Sequence, residues 1–149
     1  MKRKIFVSSA VLLAILMSCS KKEYPDLGAG YKFETVDGNS LEIINSENSV
    51  VIGTEILNYA FDSNFIVVSQ RPWDVSGINE VTYYKRNDAF ENSNFLQYWI
   101  INKKEQGNYS FDSLTQLAKY SNVYGPFQKE EYLKKHEELG VSKELRLNE

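Results

Sequence analysis

The sequence holds few residues that could carry out catalysis. Nucleophilic catalysis needs a serine, threonine or cysteine beside a base, and His136 is the only histidine in the chain. It stands between Lys135 and Glu137, on the stripe of a predicted helix that should face the core. One histidine and one cysteine are too few for a zinc site, and the sequence contains no calcium-binding loop. We therefore expect a packing role for His136, and neither a catalytic residue nor a metal or cofactor.

Paired carboxylates are the second route to chemistry, because two acidic side chains can hydrolyse a glycosidic bond. Four acidic residues lie close to aromatic residues in the sequence: Asp62, Asp74, Glu80 and Glu91. Asp62 and Asp74 are better explained as turn formers, since aspartate commonly hydrogen-bonds the backbone of a turn. A small glycan-acting enzyme is therefore an alternative and not the main prediction.

The segment with Arg71, Pro72 and Trp73 is the candidate for recognition. Its proline and the glycine that follows at position 77 predict a loop. Trp and Arg side chains often dominate binding interfaces, and exported domains often place them on loops. Arg71 and Trp73 are therefore the candidate binding residues. In the alternative, Trp73 folds back over one end of the sheet and has a packing role.

The first nineteen residues have the order of a secretory signal. Three basic residues (2–4) precede an uncharged segment (5–17), and Ser18 and Cys19 follow. At about 1.5 Å per helical residue the uncharged segment spans roughly 20 Å, which is shorter than the roughly 30 Å hydrocarbon core of a bilayer. We therefore predict a signal peptide at residues 1–18 rather than a membrane-spanning helix.

Residues 16–19, Leu-Met-Ser-Cys, resemble the bacterial lipobox. The resemblance implies that diacylglycerol is linked to the Cys19 thiol, and that cleavage before Cys19 is followed by acylation of the new N-terminus with a fatty acid such as palmitate. Two or more acyl chains anchor a protein stably to a bilayer. We therefore expect a lipoprotein on a bacterial membrane, at the outer membrane or the periplasmic face. The alternative is an ordinary signal peptide that ends at a chance cysteine.

Length and charge limit the remaining choices. Removal of the signal leaves 131 of 149 residues, the size of one domain. The mature chain carries 14 basic and 20 acidic side chains and no basic cluster, which argues against nucleic acid as a partner. With Cys19 lipidated, no disulfide can form. Residues 19–30 have little apolar content, and we predict a flexible tether there, followed by a single domain at 31–149.

The element pattern predicts an α+β domain. Between Tyr31 and Tyr109 short apolar runs alternate with turn residues, which indicates an antiparallel β-meander of five to seven strands. The uninterrupted apolar run 65–68 is expected to be a central strand covered on both faces. One or two C-terminal helices should pack on the sheet. A short helix is capped by Ser113, and a longer one starts near a proline at 126 and ends at Gly140.

Three segments look like those of a family of small bacterial lipoproteins of unknown function. They are residues 55–73 (EILNYAFDSNFIVVSQRPW), 98–103 (YWIINK) and 124–141 (YGPFQKEEYLKKHEELGV). The likeness covers most of the mature chain. It implies one α+β domain, and it carries no activity, cofactor or catalytic residue over to this chain.

From these features we expect an envelope-anchored lipoprotein that acts as a non-catalytic binding or envelope-maintenance module. Its expected partners are the membrane, through the lipid on Cys19, and an envelope protein or glycan. Two alternatives stay open: an inhibitor or immunity-type lipoprotein that blocks a periplasmic hydrolase, and the small glycan-acting enzyme.

Overall fold

The computed structural model describes residues 23–37, 40–53, 55–72, 94–113 and 117–148. The predicted signal peptide (1–18) and several residues with an expected role lie outside these ranges, namely Cys19, Trp73, Asp74, Gly77, Glu80 and Glu91. Their assigned roles stay predictions.

The described residues form nine strands and one helix, which confirms the predicted α+β class. The strands are β1 (Lys32–Val36), β2 (Ser40–Ile44), β3 (Val50–Ile52), β4 (Ile56–Phe61), β5 (Phe65–Gln70), β6 (Gln97–Asn102), β7 (Tyr109–Asp112), β8 (Leu117–Tyr120) and β9 (Val123–Phe127). The helix is α1 (Lys129–Glu138). The strands form three antiparallel sheets, ordered β1-β2-β3, β4-β5-β6-β9 and β7-β8, rather than the single meander of five to seven strands that the sequence predicts. Within the described ranges, no helix is both long enough and apolar enough to cross a membrane.

The strand β5 is the centre of the core, as predicted. Phe65, Ile66, Val67 and Val68 are each at most 4 % exposed. Ile66 and Val68 belong to the apolar cluster shared with the β1-β2-β3 sheet, whereas Phe65 and Val67 belong to the cluster shared with α1. Successive side chains of a strand point to opposite faces, so a continuous apolar run such as 65–68 supplies apolar side chains to both. The three-stranded sheet and the helix therefore cover opposite faces of the four-stranded sheet.

The packed domain begins before the predicted boundary at Tyr31. Leu27 is fully buried in the cluster of the three-stranded sheet. Tyr24 packs on Phe33, with 5.5 Å between the ring centroids, and Gly28 forms an isolated antiparallel bridge with Tyr31. The chain from Leu27 onward therefore belongs to the domain and not to a flexible tether.

Asp62 forms the turn between β4 and β5, as predicted. Its Oδ1 accepts hydrogen bonds from the backbone N–H groups of Asn64 and Phe65, both at 2.7 Å. These bonds replace the ladder hydrogen bonds that the backbone gives up where it turns. The Asp62 carboxylate thus has a structural role.

The short helix predicted from Ser113 is wrong. Strands β7 and β8 pair antiparallel before and after this residue, with Tyr109 opposite Tyr120 and Phe111 opposite Ala118. Aromatic residues favour strands, and their cross-strand pairs outweigh the local capping preference of one serine. Ser113 follows β7 in a turn instead of starting a helix.

The longer helix begins later than predicted and ends where predicted. Pro126 lies in β9 rather than at the first helical position, and α1 begins at Lys129. β9 is an edge strand, where a residue without a backbone N–H is tolerated. Beyond the helix, Gly140 has a φ of +67°, and the N–H of Val141 donates to the carbonyl of His136 at 3.0 Å. This left-handed glycine and returning hydrogen bond form a Schellman motif.

Candidate functional site

Arg71, one of the two predicted binding residues, directly follows β5 and is half-buried. Its backbone N–H donates to the carbonyl of Glu55 at 3.0 Å, which continues the pairing of β4 with β5 by one step. Trp73 lies outside the described residues. A joint binding role of Arg71 and Trp73 therefore stays a prediction.

A polar cavity of about 330 Å³ opens near the β7-β8 hairpin, and we call it the Asn122 cavity. Its lining residues come from four parts of the chain, within residues 29–31, 45–47, 103–109 and 120–122. Cavities of this size hold small ligands in other proteins. The Asn122 cavity is therefore the candidate functional site.

Asn122 is the most deeply buried residue of the cavity lining, with only 1 % of its surface exposed. Its Nδ2 donates hydrogen bonds to the Tyr31 hydroxyl at 2.8 Å and to the Asn102 carbonyl at 3.0 Å. Its Oδ1 is buried and has no hydrogen-bond partner among the described residues. An unpaired buried acceptor costs on the order of 1–3 kcal/mol. This unpaired oxygen therefore lowers the stability of the cavity wall.

Gly107 lies against Asn122 and leaves it room. A Cβ atom at position 107 would stand 2.5 Å from Asn122 Oδ1, which is closer than real Cβ contacts. Both residues line the cavity. Only glycine fits at position 107 while Asn122 keeps its place.

Lys103 joins the cavity lining to the core. Its Nζ donates to the carbonyl of Leu27 at 2.6 Å and to the carbonyl of Asp62, and it stands 5.7 Å from the centre of the Phe61 ring. Burial lowers the pKa of Lys103, while the Asp62 and Asp26 carboxylates oppose that change. Lys103 thus fixes the N-terminal segment against the β4-β5 turn and brings one positive charge to the cavity.

The carboxylate of Glu105, at the cavity, accepts two hydrogen bonds from neighbouring side chains. Its Oε1 accepts from Asn102 Nδ2 and its Oε2 accepts from the Tyr124 hydroxyl, both at 2.7 Å. The hydrogen bond to Glu105, together with burial and the nearby Glu105 and Glu138 charges, raises the pKa of Tyr124 to about 12. Both carboxylate oxygens of Glu105 therefore already serve the fold.

Two tyrosines stand at the cavity on the β7-β8 hairpin. Tyr109 is 60 % exposed, and Tyr120 is half-buried. They are cross-strand partners whose ring centroids are 5.6 Å apart in an edge-to-face arrangement. The cavity therefore combines hydrogen-bonding groups with an aromatic surface that is open to a ligand.

The lining of the cavity suits a polar ligand. Three of its lining residues have no role in the sequence-based prediction. Asn122, Lys103 and Gly107 were not predicted, because a polar loop with glycine indicates a turn and nothing more. A usable signal is the density of Asn, Gln, Glu and Gly at 102–108, between the strong strand β6 and the aromatic residues of β7. Among the described residues, no group of three or more His, Cys, Asp or Glu side chains could hold a metal ion.

A second concave surface, the helix groove, has a volume of about 790 Å³. It lies between α1 and the chain that returns along it at residues 140–147, with Tyr98 of β6 at its base. His136 lines this groove and is half-buried, as predicted, with its ring 5.6 Å from that of Tyr132. Its Nε2 is 3.1 Å from the carbonyl of Leu145. Because a carbonyl only accepts, Nε2 must carry the proton and donate, which agrees with a packing role.

Comparison with known proteins gives a family. A family model described as a protein of unknown function (DUF3997) matches residues 28–149. This range contains every lining residue of the Asn122 cavity and of the helix groove. No curated protein and no solved structure matches the chain.

Proposed function

Since the chain belongs to the DUF3997 family, whose function is unknown, we propose a function from the geometry of the chain itself. The protein is a lipid-anchored, non-catalytic module of the bacterial envelope that binds a neutral saccharide in the Asn122 cavity. One observation carries this proposal: the cross-strand pair Tyr109 and Tyr120 stands at a cavity whose lining is otherwise mostly polar.

The two kinds of group match the two surfaces of a sugar. A sugar ring has apolar C–H faces and a rim of hydroxyl groups, so aromatic rings pack on the face while amides and carboxylates bind the hydroxyls. Tyr109 offers an exposed ring. Asn108 adds an exposed amide. A saccharide could contact both side chains.

The charges of the lining favour a neutral ligand. Lys103 carries one positive charge, and Glu47 and Glu105 carry two negative charges. The Lys103 ammonium group already donates to two backbone carbonyl groups. An anion would therefore enter a lining of net negative charge, whereas a neutral sugar would meet no such repulsion.

The lipid anchor would keep the cavity close to the membrane. Ala29, which lines the cavity, stands ten residues after Cys19 in the sequence. Ten fully extended residues span at most roughly 33–36 Å. If Cys19 is lipidated, the ligand is therefore a glycan that comes within this reach of the bilayer.

Titration of the purified protein with neutral sugars tests the proposed ligand. N-acetylglucosamine and N,N′-diacetylchitobiose should give saturable shifts in the NMR signals of residues 103–109, and glucuronate should not. Tyr109→Ala should weaken binding about tenfold, because it removes an aromatic contact and its buried area. Phe111→Ala is the matched control: this residue is 53 % exposed on the same strand, lies outside the cavity lining and should leave the affinity unchanged.

The same titration decides between binding and catalysis. The disaccharide should be recovered intact after long incubation with the protein. Its hydrolysis would favour the glycan-acting enzyme, and equal losses in Tyr109→Ala and Phe111→Ala would contradict a saccharide site at this cavity.

Fractionation of cells tests the anchor. The protein should be found in the membrane fraction and should incorporate a palmitate analogue, and Cys19→Ser should abolish both because it removes the thiol that carries the lipid. Recovery of Cys19→Ser in the membrane fraction would contradict lipidation at this residue.

An inhibitor of a periplasmic hydrolase is the second candidate function. Strands β7 and β8 form their own two-stranded sheet, and Phe111 on this hairpin is 53 % exposed. An exposed aromatic side chain of this kind can anchor a protein interface. Stoichiometric inhibition of a periplasmic hydrolase that is lost in Phe111→Ala and kept in Tyr109→Ala would favour this candidate over saccharide binding.

A further inference from the structure

The helix groove has apolar walls on both sides. On the α1 side, Tyr132 is buried and stacks on Tyr98, with 5.1 Å between the ring centroids. On the opposite side, the chain reverses direction at the left-handed Gly140 and brings Val141 and Leu145 into the same apolar cluster. The groove therefore has an aromatic base and aliphatic walls.

Leu133 extends this apolar surface toward solvent. It lines the groove and is 55 % exposed, although leucine on a helix normally faces the core. An apolar side chain that stays exposed beside an apolar groove is typical of a binding surface. The groove is thus open to an apolar ligand along one side of α1.

The rim of the groove is basic. Three basic residues, Lys129, Lys143 and Arg146, and one acidic residue, Glu137, line the groove. The charged lining is therefore net positive, whereas the whole chain has a formal charge of −3. Arg146 Nε donates to the carbonyl of Lys143 at 2.6 Å, and this hydrogen bond orients the guanidinium group. The N–H groups on its two terminal nitrogens can still donate to a ligand. This local excess of positive charge favours a ligand with an anionic head group.

Much of the backbone that borders the groove already has hydrogen-bond partners. The N–H of Val141 donates to His136 O, and the N–H of Arg146 donates to Glu144 O. Ser142 accepts two further bonds, from the N–H of Glu144 at its Oγ and from the N–H of Leu145 at its carbonyl. The carbonyl of Leu145 is occupied by His136. A peptide would bring backbone groups that find few partners on this side, whereas an acyl chain has no polar groups to satisfy.

We infer that the helix groove binds the chain of a single-chain anionic amphiphile, with the carboxylate at the basic rim. The apolar walls hold the chain, and Arg146 and Lys143 hold the head group. A volume of about 790 Å³ is within the range of pockets that enclose ligands of this size. This site is separate from the Asn122 cavity, and the two share no lining residue.

Binding of dodecanoate below its micellar concentration tests the inference. The purified full chain should bind one dodecanoate per protein and should bind dodecyltrimethylammonium, which has the same chain and the opposite charge, at least tenfold more weakly. Arg146→Glu should weaken dodecanoate binding at least tenfold, since one charge-assisted contact becomes a repulsion. Lys134→Glu is the matched control, because it makes the same change of charge at an exposed position of α1 outside the groove lining.

Leu133→Ala tests the contact with the acyl chain separately from the contact with the head group. This variant should fold, because the Leu133 side chain is mostly exposed. Its affinity for dodecanoate should fall severalfold, because part of the apolar groove wall is removed. Equal affinity for the two amphiphiles, or equal losses in Arg146→Glu and Lys134→Glu, would overturn the inference. Binding to phosphatidylglycerol vesicles without binding of monomeric dodecanoate would also overturn it, and would indicate a membrane-facing surface instead. Tyr109→Ala should leave dodecanoate binding unchanged.

Discussion

The Asn122 cavity and the helix groove differ in how the chain builds them. The cavity joins four segments and depends on hydrogen bonds between residues far apart in sequence, such as Asn122 with Tyr31, 91 positions away, and Lys103 with Leu27, 76 positions away. The groove is built from α1 and the residues that directly follow it, and among the described strands only β6 contributes, through Tyr98.

This difference predicts different sensitivity to substitution. These two hydrogen bonds involve the buried residues Asn122 and Leu27, and a buried group loses its partner if either bond is removed. The groove is formed by local helix geometry and apolar contacts, which tolerate small changes better. Single substitutions at the cavity should therefore cost more stability than single substitutions at the groove.

The largest effect is expected for Lys103→Met. This change keeps an unbranched side chain of similar length but leaves the carbonyl groups of Leu27 and Asp62 without their donor. The free energy of unfolding should fall by about 2–4 kcal/mol, since the orphaned carbonyl of the fully buried Leu27 costs on the order of 1–3 kcal/mol and the loss of the hydrogen bond to the half-buried Asp62 adds about 1 kcal/mol. Urea denaturation measures the change.

Lys104→Met is the control for this prediction. Lys104 is exposed, and its Nζ stands 5.7 Å from the centre of the Phe65 ring without a comparable backbone contact. Its replacement should change stability by less than about 0.5 kcal/mol. Similar losses in the two variants would show that Lys103 does not fix the cavity wall.

Gly107→Ala should have the next largest effect. The new Cβ would stand 2.5 Å from Asn122 Oδ1, so Asn122 or the loop must move. We expect a loss of about 1–3 kcal/mol from overpacking, together with loss of sugar binding. Gly53→Ala is the matched control, because its Cβ would meet no atom closer than 3.8 Å. Full sugar affinity in Gly107→Ala would place the ligand elsewhere.

Gly140→Ala tests the groove and should cost less. No atom lies within 4 Å of a Cβ at this position, so the cost comes only from the left-handed backbone with a φ of +67°. We expect a loss of about 1–2 kcal/mol in thermal or urea unfolding. Gly140→Asn should recover part of it, because asparagine tolerates this conformation. No recovery by asparagine would contradict a purely backbone origin.

The same contrast explains what the sequence could predict. The central strand at 65–68 and the helix end at Gly140 were predicted because each depends on a local signal, a continuous apolar run or one glycine. Leu27 was assigned to the tether because one apolar residue in a polar segment carries no periodicity. Its burial follows from contacts with the β1-β2-β3 sheet, which the local pattern does not contain.

The wrong helix signals have a related cause. Serine and proline both favour helix starts, yet Ser113 directly follows β7 and Pro126 lies within β9. Pairing of Tyr98 with Phe127 and of Tyr109 with Tyr120 decides these regions instead. The Asn122 cavity could not be predicted for the same reason, because its polar groups become neighbours only after these strands pair.

The smallest effect is expected at Tyr124, where the hydrogen bond to Glu105 is less buried. Tyr124→Phe should lower stability by about 0.5–1.5 kcal/mol at neutral pH, the usual contribution of one hydrogen bond. The folded protein holds the pKa of Tyr124 at about 12, above the ordinary value of 10.0, so the native state binds this proton more tightly than the unfolded state. The stabilisation is therefore complete below pH 10 and is lost as the pH rises toward 12.

The difference in melting temperature between wild type and Tyr124→Phe should shrink between pH 10 and pH 12. Glu105→Gln should lower the pKa of Tyr124 in a tyrosinate absorbance titration. A difference in melting temperature that stays constant up to pH 12 would show that Glu105 and Tyr124 are not coupled at the edge of the cavity.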